Sequence, residues 1–130
     1  MLKTLDKISS TVKDFGDHRQ FEDWLMEVGR SSRTDTKELC TDINYVSGCT
    51  SNVWITGNNN DNKWKFNYYS STLFTNGIVS ILCETCNDMT TTEINDITFS
   101  EFDIIASQIT LNKKKGLQAM INHIKNIVNT

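Results

Sequence analysis

"VWITGNNNDNKWKFNYY", residues 53 to 69, sets two short extended runs around a cluster of turn formers. Val53 to Thr56 reads as extended, while "KWKFNYY" at 63 to 69 alternates polar with aromatic residues, the period of a strand that buries one face. "GNNNDN" at 57 to 62 is dense in residues that tolerate turn geometry. The stretch therefore predicts a β-hairpin with a loose tip. Ser47 or Tyr45 is expected to begin its first strand, and "SSTLFT" at 70 to 75 to supply a further extended segment, giving about three strands.

Helical periodicity flanks the hairpin on both sides. Leu2, Leu5, Ile8, Val12 and Phe15 recur at three- and four-residue spacing, and Gly16 closes that element. Asp17 then caps a second helix in which Phe21, Trp24, Leu25 and Val28 fall on one face, ending near Gly29. Residues 30 to 42 are polar and aperiodic, the pattern of a surface connection. After Asn76 and Gly77, "IVSILCETCNDM" has the length and apolar density of a buried helix, with Ile78, Ile81, Leu82 and Cys86 on one face. "TTTE" at 90 to 93 is a capping box, Thr90 with Glu93, and "SEF" at 100 to 102 starts another short helix. Leu117, Met120, Ile121, Ile124 and Val128 line one side of a last helix over 113 to 128. This order predicts an α+β fold over a single domain, residues 1–130: a small antiparallel sheet covered by helices in a two-layer sandwich.

Composition narrows the function classes. With 38% hydrophobic residues and no proline among 130, the chain has a globular make-up. Lys plus Arg number 13 against 16 Asp plus Glu, a net charge of −3, so no global basic field recruits nucleic acid or an anionic membrane. Lys3, Lys7 and Lys13 are scattered among acids without an apolar signal region, and no apolar run approaches a bilayer span. The expected location is the cytoplasm, or an organelle matrix. Four cysteines without a secretory signal are expected to be reduced thiols.

Those thiols sit in different settings. Cys83 and Cys86 form a C-x-x-C that offers half a zinc site or a redox pair, but zinc needs two further ligands, and His18, His123, Cys40 and Cys49 stand in unrelated contexts. Within an apolar helix the pair is more simply read as small core residues. Cys40 lies in the polar connector, and the two histidines read as surface residues without an evident partner in sequence. Cys49, in "YVSGCTSNVWITG" at 45 to 57, differs: Gly48 before it admits positive φ and close backbone approach, and Thr50 and Ser51 can donate to a thiolate. A presented nucleophile and a core cysteine are equally compatible with that setting.

"NKKKGL" at 112 to 117 poses a second question. Asn112 is a good N-cap, yet Lys113, Lys114 and Lys115 then occupy a first turn where the helix dipole disfavours positive charge. The alternatives are a solvated turn, or a docking site for an acidic partner or an anionic sulfur species.

"NYVSGCTSNVW", with Asn44, Val46, Gly48, Cys49, Ser51, Val53 and Trp54, resembles the signature of the SufE family of sulfur-acceptor proteins. "GIVSIL" at 77 to 82, "MTTTEI" at 89 to 94 and "KKKGLQAMINHIK" at 113 to 125 resemble that family's segments in the same order, so the resemblance covers about residues 15 to 128. It implies that Cys49 accepts persulfide sulfur from a pyridoxal-phosphate-dependent, SufS-like cysteine desulfurase and stimulates its turnover. The sulfur is then relayed to a SufB-like iron–sulfur scaffold.

On this reading the protein is no enzyme by itself. It needs no metal or resident cofactor beyond the transient Cys49 persulfide, the pyridoxal phosphate belonging to the partner. Gly48 and Ser51 complete the cysteine site, Lys113, Lys114 and Lys115 meet the partner, and the protein is a monomer or weak homodimer without nucleic-acid or membrane partners. The implied fold is also that of the IscU scaffold, which builds its cluster on three cysteines and an aspartate and is the alternative function. A thiol oxidoreductase acting through Cys83 and Cys86 is a third. Two features depart from the family pattern: "TLNKKKG" at 110 to 116 lacks the proline and offers Lys113 in place of arginine, which keeps the charge and loses the bidentate fork; and Asp96 to Gln108 fits poorly.

Overall fold

The computed structural model describes residues 3–33 and 37–130. Its helices are α1 (Lys3–Val12), α2 (His18–Ser32), α3 (Leu73–Cys86), α4 (Thr91–Asn95), α5 (Asp103–Ala106) and α6 (Leu111–Val128), and its strands are β1 (Val53–Asn60) and β2 (Lys63–Ser70). Short 3-10 turns occupy Lys37–Leu39, Asp42–Asn44 and Phe99–Phe102. The α+β expectation holds. Leu2, expected on the first helix, and residues 34–36 of the connector lie outside the described residues.

The hairpin is longer and tighter than its sequence predicts. β1 and β2 pair antiparallel from Val53 opposite Ser70 to Asn60 opposite Lys63. Only Asp61 and Asn62 turn, at φ 53° and 65°. Two successive positive φ values belong to a two-residue turn whose twist matches that of the strands, and aspartate and asparagine are the side chains that tolerate it. Val53, Ile55, Trp64 and Phe66 share the inner face and are buried. The sheet has two strands rather than about three: the segment before Cys49 contributes one bridge, Tyr45 opposite Trp54. The expected extended segment at 70 to 75 is absent because Thr72 caps α3, its hydroxyl accepting from the Thr75 amide, and the helix starts at Leu73.

α3 runs through the centre, packed on α2, β2 and α6, and is buried on nearly all sides. Its polar residues are bonded internally. Asn76, 1% exposed, accepts from the Ser70 amide through Oδ1 and donates to the Gly29 carbonyl through Nδ2, joining strand, α3 and α2. Tyr68 donates to Ser80 and Thr85 to the Ile81 carbonyl. The outer edge of β2 is partly covered: the Trp64 amide bonds the Met89 carbonyl and the Phe66 amide the Asn87 side chain.

Local end signals act as read at two helices. Asp17 caps α2 by accepting from the Gln20 amide, and Thr90 with Glu93 makes both bonds of the capping box at α4. At α6 the cap is Thr110, whose hydroxyl accepts from the Lys113 amide, rather than Asn112, so the helix starts two residues before the expected 113. The side predicted for it, Leu117, Met120, Ile121, Ile124 and Val128, is buried. No helix among the described residues is long and apolar enough to cross a membrane.

Candidate functional site

The loop that carries Cys49 is fixed at both ends. On entry, the Asn44 amide side chain donates to the Leu39 carbonyl, and the Tyr45 ring stands edge-on to Trp54 at 5.8 Å between centroids. The ends are closed by the Val46 amide on the Val53 carbonyl at 2.9 Å and by the Tyr45 hydroxyl on the Asn52 side chain at 3.1 Å. The Asn52 carbonyl also accepts from the Ser70 hydroxyl and the Ser71 amide. Val46 is buried, so the tip from Ser47 to Ser51 projects from a rigid base.

Gly48 bends that tip at φ +99°, and a Cβ on it would lie 3.2 Å from the Ala119 Cβ of α6. Only glycine meets both the backbone angle and the close approach without strain. The bend turns Cys49 towards α6, where its thiol donates to the Gly116 carbonyl at 3.5 Å. Gly116 has no side chain to intervene: a Cβ there would already touch the Cys49 sulfur at 3.4 Å.

Cys49 is part-buried and faces a cavity of about 10 Å³ between the loop, α3 and α6, walled by Thr75, Ile78, Asn112, Lys113 and Met120. That is room for about one water molecule. Burial pushes the thiol above its ordinary range, and the Lys113 ammonium opposes that shift. In this seat the thiolate is disfavoured relative to the neutral thiol.

The lysine triplet is divided. Lys113 folds inward, its ammonium 3.2 Å from the Thr75 hydroxyl, 3.5 Å from that of Ser51, and 5.5 Å from the centre of the Phe74 ring. Lys115 is exposed and Lys114 part-buried. Ser51 also accepts from the Thr72 hydroxyl, so it ties the loop to the cap of α3, while the hydrogen bond of the Cys49 sulfur goes to Gly116. Sequence reasoning missed Thr72, Thr75, Phe74, Gly116 and Met120, which reach the site from two helices distant in the chain. The one local signal among them was the glycine directly after the lysine triplet.

The other candidate groups lie elsewhere. Cys83 and Cys86 are 0% and 1% exposed in the core, where burial pushes the first thiol well above its ordinary range and the second up to about 12. Cys40 is part-buried beside the 3-10 turns. His18 has a partner that sequence reading had not supplied, the Glu22 carboxylate one helical turn on at 2.7 Å, and His123 joins α6 to the Ile55 carbonyl of β1. Neither histidine lines the cysteine cavity. Among the described residues no three His, Cys, Asp or Glu side chains gather as a metal site.

Comparison with known proteins agrees with this architecture. The family model of the SufE domain, described as an Fe-S metabolism associated domain, matches residues 6–128. A solution structure of a hypothetical protein from Thermus thermophilus superposes with a TM-score of 0.78 at 10% identity, over 99% of this chain and 96% of that one. At that identity the likeness speaks for the fold alone.

Proposed function

The chain belongs to the SufE family, whose domain is associated with Fe-S metabolism, and from that premise we propose that Cys49 is a sulfur acceptor serving a pyridoxal-phosphate-dependent cysteine desulfurase. The observation that carries the proposal is the seat of Cys49: a lone thiol at the tip of a braced loop, beside a cavity of about 10 Å³ with one lysine in its wall. A persulfide is readily reduced or taken by other thiols, so a carrier needs a cysteine that is sheltered at rest and presented on docking.

The transfer is a thiol exchange. On docking, the loop tip leaves its seat, and Cys49 loses its proton to solvent. The thiolate attacks the outer sulfur of the donor's persulfide. A bond forms from Cys49 Sγ to that sulfur as the donor's own S–S bond breaks, and the donor leaves as a thiolate, with no net oxidation. The acceptor then passes its outer sulfur to an iron–sulfur scaffold by the same exchange. Such a protein turns over nothing alone; it speeds the desulfurase by clearing its persulfide. Reduced thiols are needed throughout, which favours the cytoplasm as its location.

Gly48 is expected to matter for the movement. A valine there faces the positive φ and Ala119, a strain of about 1–3 kcal/mol, and its β-branched side chain stiffens the backbone on which the tip must move. Gly48→Val is expected to slow sulfur transfer about tenfold while the helical circular-dichroism signal is retained; unchanged transfer removes Gly48 from the mechanism.

The test is desulfurase turnover with cysteine, alone and with wild-type or Cys49→Ser protein. Stimulation by wild type only is expected. Equal stimulation by both, or by neither, overturns the proposal. Titration with iron and sulfide in parallel distinguishes the scaffold alternative, which predicts a coloured cluster-bound form; with Cys83 and Cys86 in the core, no such form is expected.

A further inference from the structure

We propose that Lys113 is a positioning residue for Cys49: its ammonium fastens the closed cysteine loop to α3 and supplies the counter-charge for the sulfur anion that Cys49 carries. The inference rests on the reading of Cys49 as an acceptor and assigns Lys113 a place inside the protein's own site, where the sequence had suggested a contact for the partner.

The geometry is specific. An ammonium has three N–H donors. At Lys113 two go to hydroxyls on different elements, Ser51 of the loop and Thr75 of α3, and Thr75 is 3% exposed. The Phe74 ring adds a face for the cation. These groups solvate the charge without neutralising it. Among the described residues no carboxylate lies within ion-pair distance of Lys113.

The location is also unfavourable for a cation kept only for stability. Lys113 sits in the first turn of α6, where the helix dipole opposes positive charge, and it is part-buried. Of the residues that wall the cavity, from the loop, α3 and α6, Lys113 is the only one with a formal charge, and Cys49 the only other titratable group. An anion on Cys49 completes the arrangement. A persulfide is a stronger acid than its parent thiol, so sulfur uptake places a lasting negative charge there.

The burial that raises the thiol's pKa is already opposed by Lys113. Removing the ammonium should move the thiol further up, and below its midpoint the rate of alkylation falls with the thiolate fraction. Three variants separate the possible roles. Lys113→Met keeps the stem, Lys113→Gln also keeps a hydrogen-bond donor for Ser51 and Thr75, and Lys113→Arg keeps the charge.

The experiment follows iodoacetamide alkylation of Cys49 against pH by peptide mass in the full chain without a partner, then the lifetime of the Cys49 persulfide after loading by a desulfurase. The expected result is a midpoint about one unit higher in the Gln variant, which keeps the loop fastened, hence about tenfold slower alkylation at a fixed pH below it, with shorter-lived persulfide. A midpoint near wild type is expected in the Arg variant, and faster alkylation in Met, whose loop is unfastened, than in Gln at the same pH. Should Met fail to fold, Gln carries the comparison. Wild-type protein that loads normally, beside a Gln variant with unchanged midpoint and persulfide lifetime, overturns the role of Lys113 and leaves the acceptor reading standing. Wild-type protein that takes up no sulfur overturns the acceptor reading, and the counter-charge role with it; the alkylation midpoints then report only a contact between Lys113 and the thiol.

Discussion

Gly77→Ala lowers the melting temperature by about 10 °C or more. Alanine is ordinarily the better helix former by about 1 kcal/mol, so the sign of this change is set by packing. α2 and α3 cross in backbone contact: a Cβ on Gly77 would lie 2.2 Å from the Leu25 carbonyl oxygen, and one on Gly29 would lie 1.9 Å from that of Leu73. Those oxygens belong to helical backbone and cannot turn aside as a side-chain end can. Either alanine forces the helices apart and disturbs the Asn76 bonds to Gly29 and Ser70. The cost is about 3 kcal/mol, the upper range for overpacking a core. Thermal unfolding followed by circular dichroism checks it, and a melting temperature equal to or above wild type would contradict the packing described.

Cys49→Ser is the second large change, and it acts on function alone. A serine hydroxyl has nearly the thiol's shape and can still donate to the Gly116 carbonyl, so stability is expected to stay within about 1 kcal/mol of wild type. Serine forms no persulfide, and sulfur uptake falls at least about a hundredfold, to background. Thermal unfolding and sulfur loading, measured on one preparation, check both halves of this expectation. A large loss of stability would mean that Cys49 is a core residue first.

Much of the fold was legible because local signals and tertiary packing agree. The α2 face, the Asp17 cap, the Thr90–Glu93 capping box and the buried side of α6 all follow from short-range spacing. The errors fall where one signal admits several outcomes. "GNNNDN" has a surplus of turn formers, and the strands continue through Asn60 because Val53 and Ile55 must share a face with Trp64 and Phe66, leaving only Asp61 and Asn62 to turn. "SSTLFT" has the β-branched and aromatic look of a strand, yet Thr72 caps a helix there and Asn76 is bonded from within it.

The site divides similarly. Gly48 and Cys49 stand out in the sequence because backbone freedom next to a thiol is a local feature. Their surroundings were not legible: Gly116 lies 67 residues from Cys49, and Lys113 lies 62 from Ser51. A run of three lysines looks like one basic patch. Its division into an inward Lys113 and an exposed Lys115 depends on where α6 starts, and that is set by Thr110.

If Cys49 is the acceptor, sulfur lands on it and on no other thiol of the chain. The most direct test incubates the full chain with a cysteine desulfurase and cysteine, without reductant, and records intact masses of wild type and of the Cys40→Ser, Cys49→Ser, Cys83→Ser and Cys86→Ser variants. A gain of about one sulfur mass, roughly 32 Da, is expected on every protein except Cys49→Ser. A gain on Cys49→Ser equal to that on wild type, or no gain on wild type, would contradict the acceptor role of Cys49.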